Sequence, residues 1–199
     1  MKKALLLSVV ASTMMMAGGD IAPVVDEPVM VVEDNGFYLG LGYGFMNVTD
    51  DNAITGTNYF DEDFSSVMLQ AGYKFNSYFA VEGRYWFGLD DVTKTSGTYS
   101  ETVDAPDAWG IYAKPMFPVT EDLDIYGLVG YASADIDYSD STGYSGSDNY
   151  DGFSWGLGLS YAITDSFTVF ADYVALTDET IEFRDINIET YNVGVTYNF

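Results

Sequence analysis

The sequence of 199 residues contains no cysteine and no histidine, and sets only 7 lysine and arginine residues against 31 aspartate and glutamate. Without cysteine there are no disulfides, no cysteine-based zinc sites and no thiol nucleophile. Without histidine there is no Ser-His-Asp triad, no HExxH zinc motif and no imidazole base. A formal net charge of -24 excludes nucleic-acid binding, which needs cations to neutralise phosphates. Helical membrane spans are also missing, because no apolar run reaches the ~20 residues that crossing requires. Apolar and aromatic residues are abundant, at 48% and 17%. That is too rich for a disordered acidic chain, and the length fits one domain.

Residues 1–19 have the form of an export signal. Lys2 and Lys3 are followed by the apolar run Ala4 to Ala11, and Ala17-Gly18-Gly19 supplies small residues for cleavage. Five basic residues remain once Lys2 and Lys3 are removed. Residues 20–36 carry Pro23 and Pro28 among valines and acids, which suits an extended periplasmic segment better than a central strand.

From Phe37 onward the pattern has period two, the repeat of a strand with two different faces. Val67, Leu69, Ala71, Tyr73 and Phe75 share one face, and Ser66, Met68, Gln70, Gly72 and Lys74 share the other. Similar runs cover 79–89, 109–117, 153–161, 169–175 and 191–199. Segments 37–48 and 123–138 are apolar and glycine-rich with a less clear parity. The expectation is eight strands.

The connections alternate in length. They are short around Asn76-Ser77-Tyr78, Pro118 to Asp122 and Ile163 to Ser166, and long, polar and acidic elsewhere, as in TDDNAITGTNYFDED and SDSTGYSGSDNY. Short turns at one end and long loops at the other are the layout of an up-and-down membrane barrel. Strands of about 11 residues, rising ~3.3 Å each and tilted ~40°, span roughly 28 Å.

Period two alone does not say which face is inside. A soluble ligand-binding barrel turns its apolar face inward, whereas a membrane barrel turns it to lipid. Aromatics at the strand ends (Tyr73, Phe75, Phe117, Phe153, Trp155, Tyr161, Tyr197, Phe199) favour lipid-facing girdles, and the opposite face is small and polar. The expected fold is an all-β, eight-stranded antiparallel up-and-down transmembrane barrel over 37–199.

The last strand alternates Tyr191, Val193, Val195, Tyr197 and Phe199. It resembles the C-terminal signature of bacterial outer-membrane proteins, and 37–199 resembles the outer-membrane β-barrel domain family of small OmpA-like and opacity-protein-like barrels, often labelled porin family. The resemblance implies a Gram-negative outer membrane, a final strand read by the barrel-assembly machinery, and contact with outer-membrane lipid and lipopolysaccharide. It also implies acidic loops outside and short turns in the periplasm.

Parity sends five charges into the lumen: Lys74, Glu82, Arg84, Lys114 and Asp172. In so narrow a space they serve as an ion-pair plug or as the gate of a small pore. The long loops hold most of the acid, and Asp135, Asp137 and Asp140 are weak candidates for a divalent-cation site without the register of an EF-hand. No cofactor and no catalytic residue is expected. The expected role is non-enzymatic, structural and surface-interacting, with at most a narrow passage. The alternatives are a small cation-preferring diffusion porin and, further off, a soluble ligand-binding barrel.

Overall fold

The computed structural model describes residues 35–181 and 183–199. The expected signal segment 1–19, and the 20–36 segment as far as residue 34, lie outside the described residues. Ten strands follow in order: β1 (Gly36–Asn52), β2 (Asn58–Asn76), β3 (Phe79–Gly88), β4 (Asp91–Ser96), β5 (Tyr99–Asp104), β6 (Asp107–Pro118), β7 (Leu123–Asp140), β8 (Ser145–Ala162), β9 (Phe167–Ile181) and β10 (Arg184–Asn198). Eight of them close a ring in the order β1-β2-β3-β6-β7-β8-β9-β10, with β10 returning to β1. Every pairing is antiparallel.

The long connections are not loops. β1 and β2 remain paired as far as Asp51↔Asn58, β7 and β8 as far as Ser139↔Ser145, and β9 and β10 as far as Ile181↔Arg184. The connection after β3 contains the hairpin β4–β5, which joins β7 through Glu101↔Asp140, Thr102↔Ser139 and Val103↔Tyr138. These segments are rich in Thr, Tyr and Val, which suit a strand even where the other residues are acids. Three hairpin tips need a left-handed glycine: Gly56 and Gly97 at φ 65° and Gly143 at φ 90°. Beside Gly143, the Asp140 carboxylate accepts bonds from the Thr142 and Tyr144 amides at 2.8 and 3.1 Å. With the Thr142 hydroxyl, these bonds hold its carboxyl below the usual aspartate range. A Cβ at Gly143 would touch nothing. Gly143→Ala should therefore cost only the backbone strain, about 1 kcal/mol. We expect faster hydrogen exchange at the Tyr144 amide with no change in unfolding of the barrel.

The outward face is apolar. Leu39, Leu41, Leu69, Ile111, Ile125, Val129, Leu157, Leu159, Val193 and Val195 all point outward and are exposed. Aromatics flank this band. Phe37 and Tyr73, Phe167 and Tyr197, and Tyr197 and Phe199 pack together toward the short turns. Tyr43 and Phe45, Trp109 and Tyr131, and Trp155 and Tyr173 pack toward the hairpins. With Leu41 58% and Leu157 60% exposed, an apolar belt of this extent fits lipid, not water. A soluble barrel with its apolar face inward is the opposite arrangement.

Beyond the hairpin-side aromatics the ring divides. The β2–β3 ladder ends at Ser66↔Gly88 and the β8–β9 ladder at Trp155↔Ala175. Two four-stranded sheets continue, β2-β1-β10-β9 and β4-β5-β7-β8. The first contributes Val48, Phe64, Leu176, Ile186 and Ile188 to the core, the second Ala134, Ile136 and Tyr150, with Val92 and Val103 packed against them. The projection thus has an apolar core, continuous with the buried residues of the ring below it.

Candidate functional site in the lumen

Four of the five charges that parity sends inward meet at one level. Glu82 is central. Its Oε1 accepts from Arg84 Nε at 2.5 Å, and its Oε2 accepts from Lys114 Nζ at 2.9 Å and Tyr38 Oη at 2.6 Å. Arg84 reaches across the barrel with Nη2 to Asp172 Oδ2 at 2.7 Å. Asp172 also accepts from Tyr126 Oη at 2.7 Å and Asn192 Nδ2 at 2.9 Å. Asn192 in turn accepts from Trp86 Nε1 at 2.9 Å. The network joins β1, β3, β6, β7, β9 and β10. Gln70 Nε2 donates to Thr196 Oγ1 at 2.9 Å, which adds a link from β2 to β10.

Strand geometry explains the convergence. Glu82 and Arg84 are two apart on β3, so both point inward. Arg84 and Glu82 have side chains shielded completely from solvent, and Lys114 nearly so. Lys114 Nζ also lies 4.1 Å from the Tyr126 ring centre, a desolvated cation–π contact. Room for the tyrosines comes from glycine. A Cβ at Gly72 would overlap the Tyr38 ring, and one at Gly158 the Tyr126 ring.

Lys74 occupies a different place. It is half-buried at the short-turn end of β2, in register with Ala80. The sequence reading missed Tyr38, Tyr126 and Asn192. A tyrosine beside an inward glycine on the neighbouring strand was the available signal, for example Tyr38 opposite Gly72.

The lumen is also less polar than expected. Toward the hairpins, Met46, Met68, Leu128, Ala132, Val174 and Ile188 fill it, and none is more than 1% exposed. The strands extend past the membrane and need a core there, so parity continues apolar inward. The barrel therefore holds two stacked layers, one of ion pairs and one of hydrocarbon.

The remaining candidates separate. Asp135 and Asp137 face outward on β7, with Asp135 accepting from Asn149 Nδ2 at 2.7 Å. Asp140 has the opposite parity and serves its hairpin turn. The three do not converge, and among the described residues no group of three acids is placed to hold a metal. Tyr191, Val193, Val195 and Tyr197 face outward on a strand paired on both edges, and Phe199 follows that strand, exposed. Asp50, expected in a loop, is buried on β1 and bound by Arg184 through Nε at 3.0 Å and Nη2. Lys94 bridges β4 to Glu62 of β2 at 2.8 Å.

Residues 4–199 match the family model of the outer membrane protein beta-barrel domain. Outer membrane protein X of Escherichia coli strain K12 is 26% identical over 124 residues, covering 62% of this chain and 67% of that protein. The fold is similar to that of Ail, the attachment invasion locus protein of Yersinia pestis, crystallised with the heparin analogue sucrose octasulfate. The TM-score is 0.57 at 19% identity, over 82% of this chain and 99% of Ail. Neisserial surface protein A gives a TM-score of 0.57 at 17% identity, over 84% of this chain and all (100%) of that one.

Proposed function

Since the chain belongs to the outer membrane protein beta-barrel domain family and resides in the bacterial outer membrane, we propose that it is a sealed, non-enzymatic barrel that displays a rigid acidic projection at the cell surface. The single observation that carries this reading is the double closure of the lumen. Arg84 crosses from Glu82 to Asp172, and Met68, Leu128 and Val174 fill the level nearer the hairpins. An eight-stranded ring is just wide enough for side chains to fill. The carboxylates Glu82 and Asp172 are fully engaged by cations, tyrosines and asparagine, so neither is poised as an acid or base. In this reading the short turns face the periplasm and the hairpins face outward.

The test is conductance in a planar bilayer. The refolded protein should insert, as shown by heat-modifiable gel mobility, and stay silent. A steady cation-preferring current would instead support the small diffusion porin.

The outside of the projection is acidic just beyond the aromatic belt. Asp61 and Asp63 share Asn47 at 3.0 Å each, and Asp107, Asp135, Asp151 and Glu189 stand at similar heights on other strands. The two cations of the projection are already spent on Glu62 and Asp50. Such a surface repels the sulfated sugar analogue bound by Ail and favours cationic partners. Among anionic lipopolysaccharide headgroups it would be accompanied by Mg²⁺ or Ca²⁺, hard cations that take carboxylate oxygens. Chelator should therefore lower the melting temperature of the barrel in lipopolysaccharide-containing membranes by several degrees and leave it unchanged in zwitterionic detergent. Equal melting in both would remove the divalent bridge.

A further inference from the structure

The projecting sheets part along two lines, and an ion pair spans one of them. Between β2 and β4, Lys94 binds Glu62 at 2.8 Å. Between β8 and β9 a bulge opens the line. Ile188 pairs with Thr177 and Glu189 with Ala175, so Leu176 is an extra residue that bends β9. The β8–β9 ladder stops there, at Trp155↔Ala175. The bulge also inverts the parity of β9. Below it Asp172 and Val174 point inward. Above it Thr177 and Glu179 do, opposite the buried Ile188 and Ile186. Across the line, Tyr150 and Ser154 are buried on β8, so Asp148 and Gly152 share their inner face.

Several observations converge on the cleft between these inner faces. The Thr177 side chain is buried, at 2% exposure, and its hydroxyl has no hydrogen-bond partner among the described residues. A Cβ at Gly152 would meet nothing within 4 Å, so there is room beside it. The charges acting on the Tyr150 hydroxyl are those of Asp148, Arg184, Asp50 and Glu179, three carboxylates against one guanidinium. Arg184 is held by both carboxylate oxygens of Asp50. Among the described residues Asp148 and Glu179 form no ion pair. Glu179 also acts on Tyr131, whose hydroxyl donates to Asp151 on the outer face. Its carboxylate therefore stands in the line of the cleft, with Asp148 to the inside and Asp151 to the outside.

We propose that the β8–β9 cleft binds a linear aliphatic diamine. Its inner ammonium group donates to the Thr177 hydroxyl and to Asp148, beside the Tyr150 ring, and its outer one lies between Glu179 and Asp151. The first position satisfies the orphaned hydroxyl and adds a cation–π contact. The second neutralises two carboxylates that would otherwise repel. The methylenes between them lie against the Tyr150 ring, away from water. A compact divalent ion is the weaker rival. It needs several oxygens converging on one point, and among the described residues no three acids are so placed. Carboxylates spread along a line match a charge spread along a line. The proposal rests on the reading of the projection as a surface for cations, and it adds an inner site and a ligand class.

The probe is putrescine, titrated calorimetrically into the protein in nanodiscs of zwitterionic lipid. Its control is butylamine, which keeps the hydrocarbon body and loses one ammonium group. We expect putrescine to saturate one site, and butylamine to bind at least tenfold more weakly. Thr177→Val keeps every acid and nearly the same shape. It should weaken putrescine by about tenfold, which is ~1.4 kcal/mol. The unliganded variant should melt no lower, because an unsatisfied buried hydroxyl is gone. Glu179→Gln should weaken binding at least as much, and Asp91→Asn, on β4, should leave it unchanged. Binding that ignores Thr177→Val and falls equally with Glu179→Gln and Asp91→Asn would overturn the cleft and leave the acidic-surface reading intact. Displacement of putrescine by an equal concentration of Mg²⁺ would mark a point-ion site and overturn the diamine. Failure of putrescine to bind would overturn the proposal alone, since the chelator dependence of melting judges the surface reading separately.

Discussion

Replacing Glu82 by alanine should lower the unfolding free energy of the barrel in detergent by about 3–5 kcal/mol, the cost of leaving buried charge uncompensated. Among the described residues Glu82 is the only carboxylate bonded to Lys114, and it shares Arg84 with Asp172. Its removal strands one cation fully and half-strands another, and the Tyr38 hydroxyl loses its acceptor. Arg84→Ala should cost less. Glu82 then keeps Lys114 and Tyr38, and Asp172 keeps Tyr126 and Asn192. The order Glu82→Ala worse than Arg84→Ala, read from urea midpoints, is the specific claim. Equal midpoints, or unchanged unfolding in both, would mean that the charges are hydrated individually and not coupled across the lumen.

Leu128→Asp should be as damaging, for the opposite reason. Leu128 is fully buried in the hydrocarbon layer. Its Cδ1 lies 3.2 Å from where a Cβ on Gly156 would stand, beside a Val174 methyl at 3.1 Å. A carboxylate here would stand among hydrocarbon side chains and would cost several kcal/mol. Little heat-modifiable folded protein should form. Leu128→Met, which nearly conserves volume, should cost less than about 1.5 kcal/mol. Normal folding of the aspartate variant would show that this layer is wet, and would undo the case for a sealed lumen.

The membrane band was readable because one physical rule governs it. Strands alternate, and lipid on one side and a narrow interior on the other sort residues by parity, as in Val67 to Phe75. That rule placed Glu82, Arg84, Lys114 and Asp172 inside. It did not place Tyr38 or Tyr126, because a tyrosine on a barrel strand reads equally as a girdle residue. Only the facing glycines tell them apart. The projection was harder. In β4 and β5, DVTKTS and YSETVD meet water on much of both faces, so their composition is that of a loop and only Val92 and Val103 show the alternation. Asp50 and Arg184 are 134 residues apart, and no local pattern announces that an acid in a polar stretch has its cation on the far strand.

The closing ladder has a consequence for how the chain comes together. β1 is paired with β10 from Tyr38↔Asn198 to Asn52↔Arg184, so the first and last strands of the ring are neighbours. Contacts this distant in sequence form late and slowly. Until β10 is in place, β1 and β9 each present a bare edge. A chain cut short within β10 would be not a slightly smaller barrel but an open curl with two adhesive margins. Completion is therefore all or none, and the final residues act as the clasp that decides whether the rest of the chain has a stable form at all.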